Sequence, residues 1–183
     1  MIPVVQLPQE TPCGPVKGIL SGGISGFVGA INDKAVCKFA RPNSPTYLQD
    51  ILKEIKVYKR LGKHKNLLTF YGEIENGLVL ERAHSLDKLT SMQCLDLLDV
   101  VKYIHSKGIV HCDINPNNVL VDDDGVVKLI DFASASVDGG DTMTYPGEEY
   151  YDDSLEYPSK EADMFALNQT IFKMCGKHID ELK

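Results

Sequence analysis

The spacing of hydrophobic residues changes along the chain, and each change marks an element. Over residues 16–40, short apolar runs are broken by Gly22, Gly23, Gly26 and the pair Asn32-Asp33, as in strands joined by tight turns. Over 45–61 the period becomes helical, with Tyr47, Ile51, Ile55 and Tyr58 on one stripe and Leu48, Leu52 and Leu61 beside it. Ser44 can cap this helix, Pro45 suits its first turn and Gly62 can end it. Short runs return at 67–70 and 78–80, around the turn Asn76-Gly77. A second helix is expected over 91–107, with Thr90 and Gln93 as a capping box and Gly108 as its stop. Runs at 119–121 and 126–130 flank Asp124-Gly125, a hairpin signal, and a last helix is expected over about 160–174.

Strands plus one helix, followed by mainly helices with one hairpin, make an α+β layout with a boundary near 81–88. Residues 1–15 hold four of the nine prolines and read as an extended arm. The 183 residues suffice for one compact unit with two lobes. No apolar run reaches the ~18 residues that span a bilayer, and the N-terminus lacks the pattern of a signal peptide. A cytoplasmic or nuclear location without membrane attachment is therefore expected. The five cysteines are scattered, with no paired spacing, and are expected to be reduced thiols.

Charge divides the chain. Residues 1–110 carry 14 Lys and Arg against 10 Asp and Glu, a net of +4. Residues 111–183 carry 5 against 16, a net of −11. An acidic second half argues against nucleic-acid binding. It suits a divalent metal or a basic partner.

The hairpin concentrates the candidate chemistry. With Asp124 and Gly125 as its two central residues, its register sets Asn118 opposite Asp131. An amide oxygen beside a carboxylate is the hard-oxygen environment that Mg²⁺ takes, with phosphates as further ligands. Asp113, five residues before Asn118, can serve as a base beside that metal. Taken singly, each is more readily a turn residue, and it is the combined spacing that points to a site. Glu54 lies on the apolar stripe between Ile51 and Tyr58, and a carboxylate on a buried face needs a partner. Lys38 supplies one if the helix packs on the sheet.

The segment His111-Cys112-Asp113-Ile114-Asn115-Pro116-Asn117-Asn118 resembles the catalytic loop of the protein kinase family, and Asp131-Phe132-Ala133 resembles its D-F-G motif. Further matches follow in order. Ser21 to Val28 resembles the glycine-rich loop, Ala35-Val36-Cys37-Lys38 the V-A-I-K strand, Leu80-Glu81-Arg82-Ala83 the hinge, and Ala162 to Asn168 the helix beneath the active site. The resemblance covers about residues 16–174. It implies a bilobal fold, with an N-lobe over 16–83 and a shortened C-lobe over 84–183. It also implies ATP and Mg²⁺ as cofactors. Gly23 and Gly26 would approach the phosphates, and Lys38, paired with Glu54, would contact them. Val28, Val36 and Leu120 would sandwich adenine, and the main chain of Glu81 and Ala83 would bond its edge. Asn118 and Asp131 would hold Mg²⁺, Asp113 would accept the proton of the acceptor hydroxyl, and Asp163 would anchor the catalytic loop.

Three residues depart from the pattern. Cys112 stands where the family has an arginine that pairs with a phosphorylated activation loop. Asn115 replaces a lysine, and Ala133 replaces a glycine. The sequence also ends soon after the helix with Asp163, so the apolar residues of 161–174 are expected to face a partner or a second copy. The function expected is phosphotransfer from ATP to a protein hydroxyl, on an acceptor that suits an acidic surface. The alternatives are a noncatalytic kinase-like binding module or inhibitor, and a kinase-fold enzyme with a small-molecule acceptor.

Overall fold

The structure is a computed structural model that describes residues 16–22, 26–41, 45–142 and 144–182. The arm over 1–15, Gly23 and Ser44 lie outside these. The first half forms an antiparallel sheet of β1 (Gly18–Gly22), β2 (Phe27–Ala30), β3 (Ala35–Phe39), β4 (Phe70–Ile74) and β5 (Gly77–Glu81), in the order β1-β2-β3-β5-β4. Helix α1 (Pro45–Leu61) packs on β3, β4 and β5. It buries Ile51, Glu54, Ile55, Tyr58 and Leu61, spaced by three or four residues as one helical face requires. Strand β3 is central, so Val36, Cys37, Lys38 and Phe39 are all buried. Cys37 is disulfide-bonded, which corrects the expectation of five reduced thiols; Cys94, Cys112 and Cys175 are free. Gly26 is required by packing, because a Cβ there would lie 2.3 Å from the carbonyl oxygen of Phe39.

The second half follows β6 (His84–Ser85) and is built on α2 (Ser91–Ser106) and α3 (Lys160–Cys175). Thr90 and Gln93 cap α2 reciprocally, side chain to backbone in both directions. Two-residue strands β7 (Ile109–Val110) and β10 (Ser136–Val137) pair with each other. β8 (Val119–Val121) and β9 (Val127–Leu129) form the hairpin, with β6 on the outer edge of β8. One apolar core joins the halves, running from Val36 and Ile51 through Leu97 and Phe132 to Leu167 and Ile171. Helix α3 is better covered than its composition suggests. Leu167, Ile171 and Met174 are buried, and among the large hydrophobic residues of α3 only Phe172 counts as exposed, at 47%. No helix among the described residues is long and apolar enough to cross a membrane.

The hairpin register differs from expectation by one residue. Val119 pairs with Leu129 and Val121 with Val127. The Asp122 N–H donates to the Val126 carbonyl (3.0 Å) and the Gly125 N–H to the Asp122 carbonyl (3.1 Å). The loop is therefore the three residues Asp123-Asp124-Gly125, with Gly125 left-handed at φ 81°, the three-residue alternative to a two-residue turn. Asn118 consequently faces Ile130, whose N–H donates to the Asn118 carbonyl (3.0 Å), and Asp131 lies one residue beyond.

Two features tie this framework to the catalytic-loop segment. The first is a column of rings. Phe70 of β4 stacks on Tyr58 of α1 (6.0 Å between centroids), Tyr58 meets Phe132 edge-on (5.4 Å), and Phe132 rests on His111 (4.9 Å). The second is Asp163 in the first turn of α3. Its carboxylate accepts the backbone N–H groups of His111 (2.7 Å) and Cys112 (2.9 Å) and contacts His105 Nε2 (2.8 Å). Asp163 is 2% exposed, so no water replaces it. Substitution Asp163→Ala leaves these donors unpaired and is expected to destabilise the fold by about 3 kcal/mol or more, at ~1–3 kcal/mol per buried donor. Urea unfolding measures this, and a loss under about 1 kcal/mol would mean that the loop is held by other contacts.

Candidate active site

A cavity of about 400 Å³ opens between the sheet and the hairpin, within the usual range for a small-molecule site. Ten of the expected residues line it: Gly26, Val28, Val36, Lys38, Glu54, Glu81, Ala83, Asn118, Leu120 and Asp131. They come from the glycine-rich turn, β2, β3, α1, β5, the segment before β6, the hairpin and the segment after it. Asp113 is not part of the lining but touches it through Asn118. Gly23 lies outside the described residues.

Lys38 is the electrostatic centre. Its Nζ is 2.7 Å from Glu54 Oε2 and 2.7 Å from Asp131 Oδ1, with little of the Lys38 or Glu54 side chain exposed. Burial alone would push the Lys38 pKa down. The two carboxylates outweigh it and hold the ammonium above its ordinary range. Burial pushes Glu54 up against the pull of Lys38, and the like charge of Asp131 pushes it the same way. Burial would also raise Asp131, but Lys38 and the Ala133 N–H (3.3 Å) hold it low. Asp131 has φ 64°, a left-handed backbone that a non-glycine residue adopts only under constraint. That kink turns the carboxylate onto Lys38, although the hairpin register does not set it opposite Asn118.

Asp113 sits in a frame of amides. Asn115 Nδ2 donates to its Oδ1 (2.9 Å) and Asn118 Nδ2 to its Oδ2 (2.9 Å). Burial raises the Asp113 pKa, with the amides and His111 opposing. His111 Nδ1 accepts the Asp113 N–H (3.2 Å) while Nε2 meets the Ile130 carbonyl (2.9 Å), so its proton lies on Nε2. Asn118 Nδ2 also donates to the Asp113 carbonyl (2.7 Å). With both its N–H groups directed at Asp113, the Asn118 side chain leaves its oxygen for another ligand. Asp131 likewise uses Oδ1 for Lys38 and Ala133, leaving Oδ2. Two hard oxygens on one cavity wall fit Mg²⁺, which takes few protein ligands and completes its shell with water and phosphate. Among the described residues, no group of three or more His, Cys, Asp or Glu gathers as a metal site.

Several residues had no signal in the sequence. The Asn115 amide on Asp113 and the Tyr58 hydroxyl, buried without a hydrogen-bond partner, depend on tertiary placement. So do the Tyr157 hydroxyl bonds to the carbonyls of Cys112 (2.9 Å) and Thr144 (2.6 Å). The Glu81 carboxylate accepts the Thr69 N–H (2.9 Å) and hydroxyl (3.0 Å) and pairs with buried Lys128 (3.4 Å), fixing the end of β5. Cys112, 2% exposed, is a packing residue whose thiol pKa burial pushes up to about 11.

Comparison with known proteins adds to this geometry. A sequence model of the protein kinase domain matches residues 21–180. Mitogen-activated protein kinase kinase kinase 1 of Arabidopsis thaliana is 31% identical over 157 residues, covering 72% of this chain and 26% of that protein. The serine/threonine-protein kinase RUNKEL of the same plant is 31% identical over 150 residues, covering 67% of this chain and 11% of that protein. The serine/threonine-protein kinase Tao of Drosophila melanogaster is 36% identical over 107 residues, covering 49% and 10%. The chain thus spans 26% or less of the length of these relatives. The domain match runs through both lobes and includes all ten of the expected residues that line the cavity, and on these grounds the chain belongs to the protein kinase family.

Proposed function

We propose that this chain is an ATP- and Mg²⁺-dependent phosphotransferase that moves the γ-phosphate of ATP to a protein serine or threonine hydroxyl. The observation that carries this reading is Lys38, held 2.7 Å from both Glu54 and Asp131 on the wall of the cavity. Val28, Val36 and Leu120 sandwich the adenine ring, and the main chain of Glu81 and Ala83 bonds its edge. Gly26 would let the backbone approach the phosphates, as Gly23 would on the family pattern although it lies outside the described residues, and Lys38 would contact the α- and β-phosphates. Asn118 and Asp131 would hold Mg²⁺, which when bound would neutralise charge on the transferred group. Asp113 accepts the proton of the attacking hydroxyl. The relatives named as serine/threonine-protein kinases support that acceptor. Residues 138–156 carry seven acids and no Lys or Arg, which favours a basic acceptor segment. The exposed Phe172 on α3 is where a partner or second copy would dock.

A second reading, a nucleotide-binding module without turnover, is favoured by Asn115. The family resemblance implies a cation there, whereas Asn115 offers Asp113 a neutral amide. The third, a small-molecule acceptor, follows from the same change. Labelled ATP and Mg²⁺ incubated with a basic peptide, with metabolite alcohols, or with no acceptor separates them. Phosphate on the peptide supports the proposal, phosphate on a metabolite alone supports the third reading, and tight binding without transfer supports the second.

Three outcomes are expected. Asp113→Asn keeps nucleotide binding and lowers transfer by about 10²- to 10⁴-fold, the contribution of a general base; transfer within about twofold of the unmodified chain would remove Asp113 from that role. Transfer should also rise with pH through the Asp113 pKa and then level off, because only the ionised carboxylate accepts a proton. Since burial raises that pKa, the acid limb should lie above the ~3.9 of an ordinary aspartate, and a pH–rate profile reads it. Finally, Lys38→Met abolishes binding of a fluorescent ATP analogue. It also destabilises the fold by about 3–5 kcal/mol, because it strands a buried Glu54.

A further inference from the structure

Three segments that carry site residues meet at one point outside the cavity. Arg60, in the last turn of α1, forms a two-pronged pair with Asp138: Nη1 to Oδ2 at 2.6 Å and Nη2 to Oδ1 at 2.6 Å. Asp138 follows β10 in the segment after Asp131 and has a left-handed backbone, with φ 55°. Its N–H donates to the carbonyl of Gly108 (2.8 Å), in the turn that leads through β7 to His111. Gly108 is itself left-handed, with φ 71°. A Cβ there would lie 2.6 Å from Asp138 Oδ1 and 3.0 Å from Arg60 Nη2, so the pair occupies space that only glycine leaves open.

The position of this pair matters because Arg60 lies six residues after Glu54 on the same helix. Fixing the end of α1 against the segment after Asp131 fixes the two carboxylates that share Lys38. Cys112, which stands where the family resemblance implies an arginine that would pair with a phosphate, is buried. Residues 138–156 contain no Lys or Arg. The charge that ties this segment to α1 is encoded as Asp138.

We propose that Arg60 and Asp138 are positioning residues that hold Glu54 and Asp131 on Lys38, so that the nucleotide site assembles without a phosphate on the segment after Asp131. The proposal rests on the kinase reading and deepens it. The pair is partly exposed, so the effect is modest: each single substitution should weaken binding of a fluorescent ATP analogue with Mg²⁺ by about two- to fivefold, the range of an exposed ion pair.

The test uses the full chain after phosphatase treatment, with intact mass confirming that no phosphate remains. Arg60→Ala, Asp138→Asn, their combination and the exchange Arg60→Asp with Asp138→Arg are compared for analogue affinity and for hydrogen exchange over residues 51–58. The expected result is tight binding by the dephosphorylated chain, weaker binding and faster exchange in both single variants, and a double variant no worse than either. The exchanged pair should recover at least half of the loss, which an unrelated structural defect would not do. The proposal is overturned if single variants match the unmodified chain, if their losses add in the double variant, or if the dephosphorylated chain binds nucleotide only after phosphorylation. Hydrogen exchange reads the pair independently of nucleotide. A chain that binds no ATP in either phosphorylation state but shows the exchange pattern sinks the kinase reading and leaves the structural role of the pair standing.

Discussion

An ammonium taken out of water between two carboxylates constrains everything around it. Lys38, Glu54 and Asp131 come from the sheet, from α1 and from the segment after the hairpin, and their charges meet at 2.7 Å. In a low-dielectric interior such charges attract strongly, but each has lost its hydration, and the balance is favourable only if all three stay in place. The β3–β5 pairing, the packing of α1 and the left-handed turn at Asp131 act together to keep them there. The triad carries one more negative charge than positive. Its free Asp131 oxygen is therefore suited to a metal cation, as the proposed function requires.

The ring column and Asp163 transmit that constraint to the catalytic-loop segment. Phe132 follows Asp131 directly, so seating its ring between Tyr58 and His111 fixes the backbone from which the carboxylate projects. His111 in turn is held by its N–H on Asp163 and its Nε2 on the Ile130 carbonyl. Movement of α1 would displace Tyr58, open the column and release Lys38 together. The position of Lys38 and the placement of Asp113 are therefore mechanically linked, although Asp113 does not line the cavity.

What could be read from the sequence follows the range of each signal. Helix periodicity and caps are local, and α1, α2 and α3 appear within a residue or so of expectation. Glu54 was legible because a carboxylate on an apolar stripe demands a partner, and the buried Lys38 is that partner. The hairpin was legible as an element but not in register. Asp-Gly is compatible with two- and three-residue loops, and the choice falls on bonds from Asp122 that periodicity does not record. The two-residue strands β7 and β10 are too short to show any period. The disulfide at Cys37 left no mark in spacing, and the ring column and the Arg60–Asp138 pair join residues far apart in sequence.

Two of the three departures from the family pattern, Cys112 and Asn115, have a physical consequence in common. Cys112 places a buried thiol and Asn115 an uncharged amide where cations would stand, and Ala133 adds a Cβ beside the triad. Fewer cations near Asp113 mean that its carboxylate is held by hydrogen bonds to amides instead of by ion pairs, and burial then raises its pKa. Under the proposed function, a more basic carboxylate is a better proton acceptor once ionised. Cys112 also takes the place of the arginine through which, on the family pattern, an added phosphate would act. Lys38 thus holds the site from inside the cavity, and under the proposal above Arg60 supports it from outside.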